Sequence, residues 1–271
     1  MISFDLTAIK RPFFPEFQIP DSVCFSFDEA GRGTLAGPVS VGCVSFSWKT
    51  LKRIQSGEIL NGLRDSKKIP EPKRLTLRKE ILEFASYWHV SFVSSKFIDK
   101  FNINQAIFYG INRALPKHLT DFRRSEIQNL QEPNTSEYKK KAKSEFIETS
   151  NGIQREEPNR NFLPSQSFLF LDGNYKLKIQ TPIEGYLSIP KGDDLVPSIS
   201  AASILAKTYR DEYMEKMDIK YPGYGFAKHK GYGTEEHREA LRKLGISPIH
   251  RLSFCDFLRR EGSEPTLFTN D

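Results

Sequence analysis

Cysteine is scarce in this chain. Its 271 residues include three cysteines, Cys24, Cys43 and Cys255. The number is odd, the intervals are long and no Cys-x-x-Cys pair occurs, so the cysteines form no zinc-binding group. The pattern predicts buried, reduced thiols.

Long hydrophobic runs are also missing. Nowhere does the chain contain the roughly 18 consecutive apolar residues that indicate a membrane-spanning helix. Residues 1–10 (MISFDLTAIK) lack a positively charged segment followed by an apolar stretch, which a secretory signal would have. We expect a soluble, cytoplasmic protein that acts as a monomer and has no membrane partner.

Neither sign of charge dominates. The 40 Lys and Arg residues exceed the 34 Asp and Glu residues enough for a formal net charge of +6. Most of these charges indicate a solvated surface, and the small excess only weakly favours an anionic partner such as nucleic acid. With 38% hydrophobic residues, the chain can form one large domain or two small ones with a packed core.

Apolar periodicity predicts five strands and five helices. Strands are predicted at 23–27, 39–46, 88–93, 167–171 and 185–189. Helices are predicted at 72–85, 104–115, 198–217, 234–244 and 253–260, with Thr234 as an N-cap and Gly245 as a helix end. The small residues 200–203 (SAAS) should let their helix approach the sheet closely. The order predicts a mixed α/β sheet with a helical C-terminal cap, and a Rossmann-like sheet is the alternative.

Composition divides the chain into three regions. Residues 1–21 form an N-terminal extension, 22–220 a central domain and 221–271 a helical C-terminal region. Within the second region, residues 117–165 are rich in Lys, Arg, Glu, Asn, Ser and Gln, and their apolar residues are isolated. This composition predicts an exposed, partly disordered insertion.

Acidic residues stand beside glycine near predicted strands. Asp28 and Glu29 follow the first strand, Asp172 follows the apolar run 168–171, and Asp193 follows Gly192. Carboxylates that converge cannot all stay ionised cheaply, so the pattern indicates Mg²⁺ or Mn²⁺, with phosphate as the substrate group. Because neighbouring strand residues face opposite ways, strand one must end or twist at Glu29 for both acids to reach one site.

Simpler interpretations exist for each acid. Asp172 and Gly173 are also typical of a plain turn. Asp193, or Asp194 beside it, fits a solvated loop or a helix cap equally well. A second acidic pair, Asp211 and Glu212, lies in a charged helical stretch, and we expect it to face solvent.

Basic, aromatic and glycine residues near these acids are candidates for substrate binding. They are Gly31, Arg32, Gly33, Ser66, Lys67, Lys207, His229, Lys230 and Tyr232, with His237 and Arg251 as weaker candidates. Hydroxyl, ammonium and backbone N–H groups before a helix can bind phosphate, and an aromatic ring between two glycines can stack on a sugar or base. For most of them a plain surface role is the alternative.

Several motifs, taken in order, resemble the ribonuclease HII family. They are residues 28–33 (DEAGRG), 65–68 (DSKK), 171–174 (LDGN), 191–193 (KGD), 200–207 (SAASILAK), 224–226 (YGF) and 229–234 (HKGYGT). The resemblance covers residues 22–260 apart from the insertion. Arg32 favours HII over the related HIII, which usually has lysine there.

The resemblance implies an RNase H-like fold with a mixed five-stranded sheet flanked by helices. It implies that Asp28, Glu29, Asp172 and Asp193 bind Mg²⁺ or Mn²⁺ and catalyse hydrolysis. The implied substrates are RNA–DNA hybrids and ribonucleotides embedded in duplex DNA, cut to leave 5′-phosphate and 3′-hydroxyl during ribonucleotide excision repair and DNA replication. Residues 31–33 would contact the ribose 2′-OH, and Tyr232 the neighbouring deoxyribose.

Two other functions remain open at this point. The chain could be a nucleic-acid-binding module without catalysis, whose acids are structural. It could also be another metal-dependent nuclease of the same broad fold, which cuts DNA that contains no ribonucleotide.

Overall fold

The computed structural model describes residues 23–116, 153–154, 167–176 and 185–260. The predicted extension at 1–21 lies outside these residues, and so does all of the predicted insertion at 117–165 except 153–154. The division into three regions therefore remains a prediction. None of the described helices is long and apolar enough to cross a membrane.

One mixed sheet forms the centre of the fold. Its strands are β1 (Val23–Ala30), β2 (Val39–Ser45), β3 (Tyr87–Val93), β4 (Ile153–Gln154), β5 (Ser167–Asp172) and β6 (Gly185–Ile189), in the order β4-β3-β2-β1-β5-β6. Strands β1 to β4 each pair antiparallel with the next strand along the chain, whereas β5 pairs parallel with both β1 and β6. All five predicted strands are present, and the two-residue β4 extends the sheet by one. The antiparallel half excludes the Rossmann-like alternative.

Helices cover both faces of the sheet and form the C-terminal cap. They are α1 (Trp48–Gln55), α2 (Glu71–Phe84), α3 (Ser95–Phe101), α4 (Ile103–Ala114), α5 (Gly192–Leu195), α6 (Pro197–Lys220), α7 (Phe226–His229), α8 (Glu235–Leu244) and α9 (Phe257–Arg260). The predictions missed α1, α3, α5 and α7. The predicted helix at 253–260 is confirmed only in its second half, as the short α9, because a 3₁₀ turn, Leu252–Phe254, occupies the start of that segment.

The alternation of β1 determines which face each of its side chains reaches. Phe25 and Phe27 pack with Ile107 of α4 in the core on one face. On the other face, the hydroxyl of Ser26 donates to that of Ser198 on α6, 2.7 Å away. By the same alternation, Asp28 lies on the α6 face and Glu29 on the α4 face.

Helix α6 lies very close to the sheet at Gly42 of β2. A Cβ atom at Gly42 would come within 2.3 Å of the carbonyl oxygen of Ala202. The prediction that the small residues 200–203 permit a close approach is therefore confirmed, and Gly42 is the matching small residue on the sheet.

The cap has its own core, in which Leu35 and Ala36 of the β1–β2 loop pack with Tyr224, Phe226 and Leu241. Helix α8 begins as predicted, since the Thr234 side chain accepts from the backbone N–H of His237. The cap therefore packs directly against the loop that follows the two acids of β1.

The three cysteines are buried and form no disulfide, as predicted. Burial raises the pKa of Cys43 well above its ordinary value and that of Cys255 to about 12. Both thiols therefore stay protonated at neutral pH.

Candidate active site

Three of the four predicted acids meet at one end of the sheet. Asp28, Asp172 and Asp193 each have a carboxylate oxygen, and these oxygens lie within 4.8 Å of one another. Parallel pairing of β1 with β5 ends at Phe27 and Leu171, so Asp28 and Asp172 come directly after the last paired residues. Asp193 is in the first turn of α5, where the backbone N–H of Gly192 donates to Asp172 Oδ1 at 2.7 Å.

The carboxyl groups of this trio are held in conditions that disfavour their charge. Burial, followed by the charges of Glu29 and Asp172, raises the pKa of Asp28 well above its usual range. Burial also raises the pKa of Asp172, against backbone hydrogen bonds that lower it. Burial and the charge of Asp172 raise the pKa of Asp193 to about 7. Clustered acids of this kind are stabilised by a bound cation.

Glu29 lies beside the trio and not within it. Strand β1 continues through Ala30, with Glu29 paired to Val41, so the strand does not end at Glu29. Its Oε1 accepts from the hydroxyl of Tyr175 at 2.7 Å and from Arg32 Nη1 at 3.4 Å. Burial raises the pKa of Glu29, while the hydrogen bond from Tyr175 opposes that shift.

Asp194 faces a different group from Asp193. Its carboxylate pairs with the Lys68 ammonium and accepts from the backbone N–H of Asp65 at 3.1 Å. The hydrogen bond from Lys68 lowers the pKa of Asp194. Of the two neighbours, Asp193 is therefore the one that joins the trio.

Two buried arginines hold the glycine-rich loop that follows β1. Arg251, which is 0% exposed, donates to the carbonyls of Gly31, Arg32 and Gly37 at 2.7, 2.9 and 3.0 Å. Arg210 lies so close to Gly31 that a Cβ there would come within 2.0 Å of its Nε. Arg251 was a weak candidate for substrate contact, and that prediction is wrong because its guanidinium is used inside the protein.

Arg210 also connects this loop to the segment that carries Tyr232. It donates to the carbonyls of Ala36 and Pro38 on one side and to that of Lys230 on the other, at 3.1, 2.9 and 2.8 Å. The two segments, distant in sequence, are thereby held in a fixed relation.

Tyr232 and Lys207 lie close to each other. Tyr232 is 39% exposed, and Lys207 Nζ lies 6.0 Å from its ring centroid. Lys207 also donates to Asp211 at 2.8 Å. Asp211 is buried, so the expectation that it faces solvent is wrong, whereas Glu212 beside it is 44% exposed at its side chain.

Two histidines proposed for phosphate contact are in fact internal. The ring of His229 is buried, with Nε2 bonded to the Tyr224 carbonyl at 2.7 Å and Nδ1 accepting from Gly231 at 3.1 Å. His237 is 0% exposed. Neither ring can reach a substrate in this conformation, so both predictions are corrected.

The other candidates for substrate binding differ in how accessible their side chains are. Lys230 pairs with Glu215 at 2.6 Å, and its side chain is 14% exposed. Ser66 is buried, and its hydroxyl meets that of Ser203 at 2.9 Å. Lys67 is exposed, and its charge lowers the pKa of both Asp172 and Asp193, so it is the candidate cation that acts on the acid trio.

The motif search missed Tyr175 and Asn104. Both hold Arg32, whose Nη1 donates to the Tyr175 hydroxyl at 2.6 Å and whose Nη2 donates to Asn104 Oδ1 at 2.7 Å. Tyr175 directly follows residues 171–174 (LDGN), and this position was its one sequence signal. Nothing in the local sequence around Asn104 indicates a role in the site.

Comparison with known proteins identifies the family of this chain. The family model for ribonuclease HII matches residues 26–157 and 167–257. Ribonuclease HII of Nitrosomonas europaea is 33% identical over 263 residues, covering 96% of each chain. That of Pelodictyon phaeoclathratiforme is 36% identical over 253 residues, covering 93% of this chain and 97% of the relative.

Solved structures share the fold. The ribonuclease H2 of Pyrococcus horikoshii OT3 gives a TM-score of 0.54 at 20% identity, covering 88% of this chain and 98% of that one. The ribonuclease HII of Archaeoglobus fulgidus, solved in complex with PCNA, gives 0.55 at 21% identity, covering 86% and 93%. The fold is therefore the RNase H-like α/β fold. The chain belongs to the ribonuclease HII family and is a type 2 ribonuclease H.

Proposed function

We propose that this protein hydrolyses RNA in RNA–DNA hybrids and at ribonucleotides embedded in duplex DNA, leaving 5′-phosphate and 3′-hydroxyl. The observation that carries the proposal is the acid trio Asp28, Asp172 and Asp193, together with the loop 31–33 that follows the same strand. The trio supplies a place for hydrolysis, and the loop supplies backbone groups that can approach a ribose closely.

The acid trio fits a divalent cation. Carboxylate oxygens are the ligands that Mg²⁺ and Mn²⁺ prefer, and three of them converge within 4.8 Å. Burial raises the pKa of all three carboxyl groups, and a bound cation would offset the cost of keeping them ionised there. Asp28, Asp172 and Asp193 would therefore hold Mg²⁺ or Mn²⁺, with Glu29 beside them. When bound there, the ion would lower the pKa of a water molecule and offset the negative charge that develops on the departing 3′ oxygen.

The chain's own residues bind and orient the substrate. Gly33 is exposed and leaves the backbone of the loop open, and the exposed Arg32 beside it offers a cation. Gly31 is buried against Arg210, so it supports the loop from inside the protein. Tyr232 presents a half-exposed ring that can stack on the deoxyribose next to the ribonucleotide. Lys67 can bind the phosphate beside the acids, and Lys207 can assist at Tyr232.

The decisive experiment compares two neighbouring acids. Asp172→Asn should lower cleavage of a duplex containing one ribonucleotide by about a thousandfold or more, because several kcal/mol of transition-state stabilisation is lost. Asp194→Asn is the matched control, since Asp194 pairs with Lys68 and lies outside the trio. Reactions with and without Mn²⁺ or Mg²⁺, with the cut mapped on a gel, give the measurement.

Three outcomes would contradict the proposal. Undiminished metal-dependent cleavage by Asp172→Asn would remove the trio from the chemistry. Tight duplex binding without products at any Mg²⁺ or Mn²⁺ concentration would favour a non-catalytic binding module. Cleavage of an all-DNA duplex would favour a different nuclease.

Tyr232 offers a separate test of substrate recognition. Tyr232→Ala should lower cleavage at a single ribonucleotide more than it lowers affinity for all-DNA duplex, while Tyr232→Phe keeps the ring and should stay close to wild type. Equal losses of cleavage and of DNA affinity would show a general binding role.

We also expect a monomer that acts in the cytoplasm in excision repair and DNA replication, and light scattering of the purified protein tests whether it is a monomer.

A further inference from the structure

The hydroxyl of Tyr175 lies between a cation and an acid of the site. It accepts a hydrogen bond from Arg32 Nη1 at 2.6 Å and donates one to Glu29 Oε1 at 2.7 Å. A phenol has one O–H to donate, so the donor role is committed to Glu29 and the acceptor role to Arg32. Both bonds involve a charged partner, and such bonds are stronger than neutral ones.

The remainder of Tyr175 is fixed on two sides. Its ring meets Phe108 of α4 edge-on, with centroids 5.9 Å apart. Its backbone is tied to β6, because its N–H donates to the Ser188 hydroxyl at 3.1 Å and that hydroxyl donates back to its carbonyl at 2.8 Å. The position of the hydroxyl is therefore set by the scaffold and not by Arg32.

Arg32, by contrast, needs partners to be ordered. Its side chain is 46% exposed, and a long exposed arginine samples many rotamers unless it is held. Besides Tyr175, it reaches Asn104 Oδ1 at 2.7 Å and, more weakly, Glu29 at 3.4 Å. Restricting the guanidinium before the substrate arrives lowers the entropic cost of binding.

We propose that Tyr175 is a positioning residue that holds Arg32 in its substrate-binding orientation and thereby increases affinity for ribonucleotide-containing duplex. The inference rests on the proposed function, in which Arg32 belongs to the loop that reads the ribose. Because Arg32 would contact the substrate already in the ground state, the effect belongs in KM and in equilibrium affinity, with kcat largely unchanged.

Tyr175→Phe is the informative variant, because it keeps the ring against Phe108 and removes only the hydroxyl. On a duplex with one ribonucleotide it should raise KM about tenfold, the effect of one charge-assisted hydrogen bond, and change kcat by less than about twofold. Tyr109→Phe is the matched control, since Tyr109 is on α4, as Phe108 is, but its ring stacks on Phe97. It should match wild type.

A double-mutant cycle with Arg32→Ala separates positioning from a merely structural effect. If Tyr175 acts through Arg32, adding Tyr175→Phe to the Arg32→Ala variant should raise KM by less than about twofold. The same tenfold loss in both backgrounds would overturn the proposal and assign the effect to Glu29 or to the fold.

The same double-mutant cycle is then measured by equilibrium binding in EDTA. Fluorescence anisotropy gives the affinity of each variant for a ribonucleotide-containing duplex and for its all-DNA counterpart. Tyr175→Phe should reduce affinity for the first duplex about tenfold and leave the second within about twofold. Equal weakening of both duplexes would refute the inference. This measurement needs no cleavage, so absence of hydrolysis by wild type would overturn the proposed function while the role of Tyr175 is still decided.

Discussion

A chain of hydrogen bonds through two buried histidines makes a quantitative prediction. Ser247 donates its backbone N–H to His250 Nδ1 at 3.0 Å, so the ring proton of His250 must be on Nε2. That nitrogen lies 3.0 Å from His237 Nε2, which therefore accepts, and the His237 proton on Nδ1 is donated to the Tyr232 carbonyl at 2.9 Å. Both rings are neutral, and protonation of His237 on Nε2 would turn two N–H groups toward each other.

Burial, with a smaller contribution from the neighbouring histidine, lowers the pKa of His250 to about 3, against an ordinary value of 6.5. Burial likewise lowers the pKa of His237 to about 4. Because the pKa of His250 is lower in the folded state, the unfolded chain binds more protons below about pH 6.5. The contribution of His250 to stability is therefore fully present above that pH, and it is lost as the pH falls toward the folded-state pKa. For His250 alone, acidification from about pH 7.5 to about pH 5 removes about 2 kcal/mol.

The test removes the titrating ring and compares two proteins. His250→Gln should be destabilised relative to wild type at neutral pH, because Ser247 loses its acceptor. At about pH 5 this cost should shrink by about 2 kcal/mol, since only wild type must then keep His250 unprotonated. The raised pKa values of the acid trio favour the folded state in acid in both proteins, and so they cancel in the difference.

Urea unfolding followed by circular dichroism at the two pH values gives the required free energies. A cost of His250→Gln that is the same at both pH values, within about 0.5 kcal/mol, would refute the neutral chain and the tautomers assigned to it.

Two further predictions concern stability. Gly42→Ala should lower the free energy of unfolding by about 1–3 kcal/mol, because the added Cβ meets the Ala202 carbonyl at 2.3 Å. Gly33→Ala, whose Cβ would have no heavy atom within 4 Å, is the control, and equal effects in urea unfolding would disprove the close approach. Thr234→Ala should cost about 1 kcal/mol through loss of the α8 N-cap, while Thr234→Ser should restore most of it; a silent alanine variant would argue against the cap.

Much of the fold was predictable because its elements follow local rules. Apolar alternation located the five main strands, and the N-cap Thr234 with Gly245 marked both ends of α8. The short α5 and α7 were missed because each has four residues, too few for a helical period to be visible. The β4 pairing was missed for the same reason.

The sequence by itself identified the candidate residues for the chemistry: acids beside glycine at strand ends, and a glycine-flanked arginine and tyrosine. Tertiary structure alone decided which of these meet. It placed Asp193 and not Asp194 with Asp28 and Asp172, and it turned Glu29 toward Tyr175.

Burial also depended on partners far along the chain. Arg251 looks like a surface cation in sequence, yet it is fully buried because its guanidinium bonds to the Gly31 carbonyl, 220 residues away. The buried ring of His229 instead finds its hydrogen-bond partners nearby, in the Tyr224 carbonyl and the Gly231 N–H. Residue type and spacing reveal the chemistry a side chain can do, whereas its exposure and hydrogen-bond partners are set by long-range packing that no local pattern encodes.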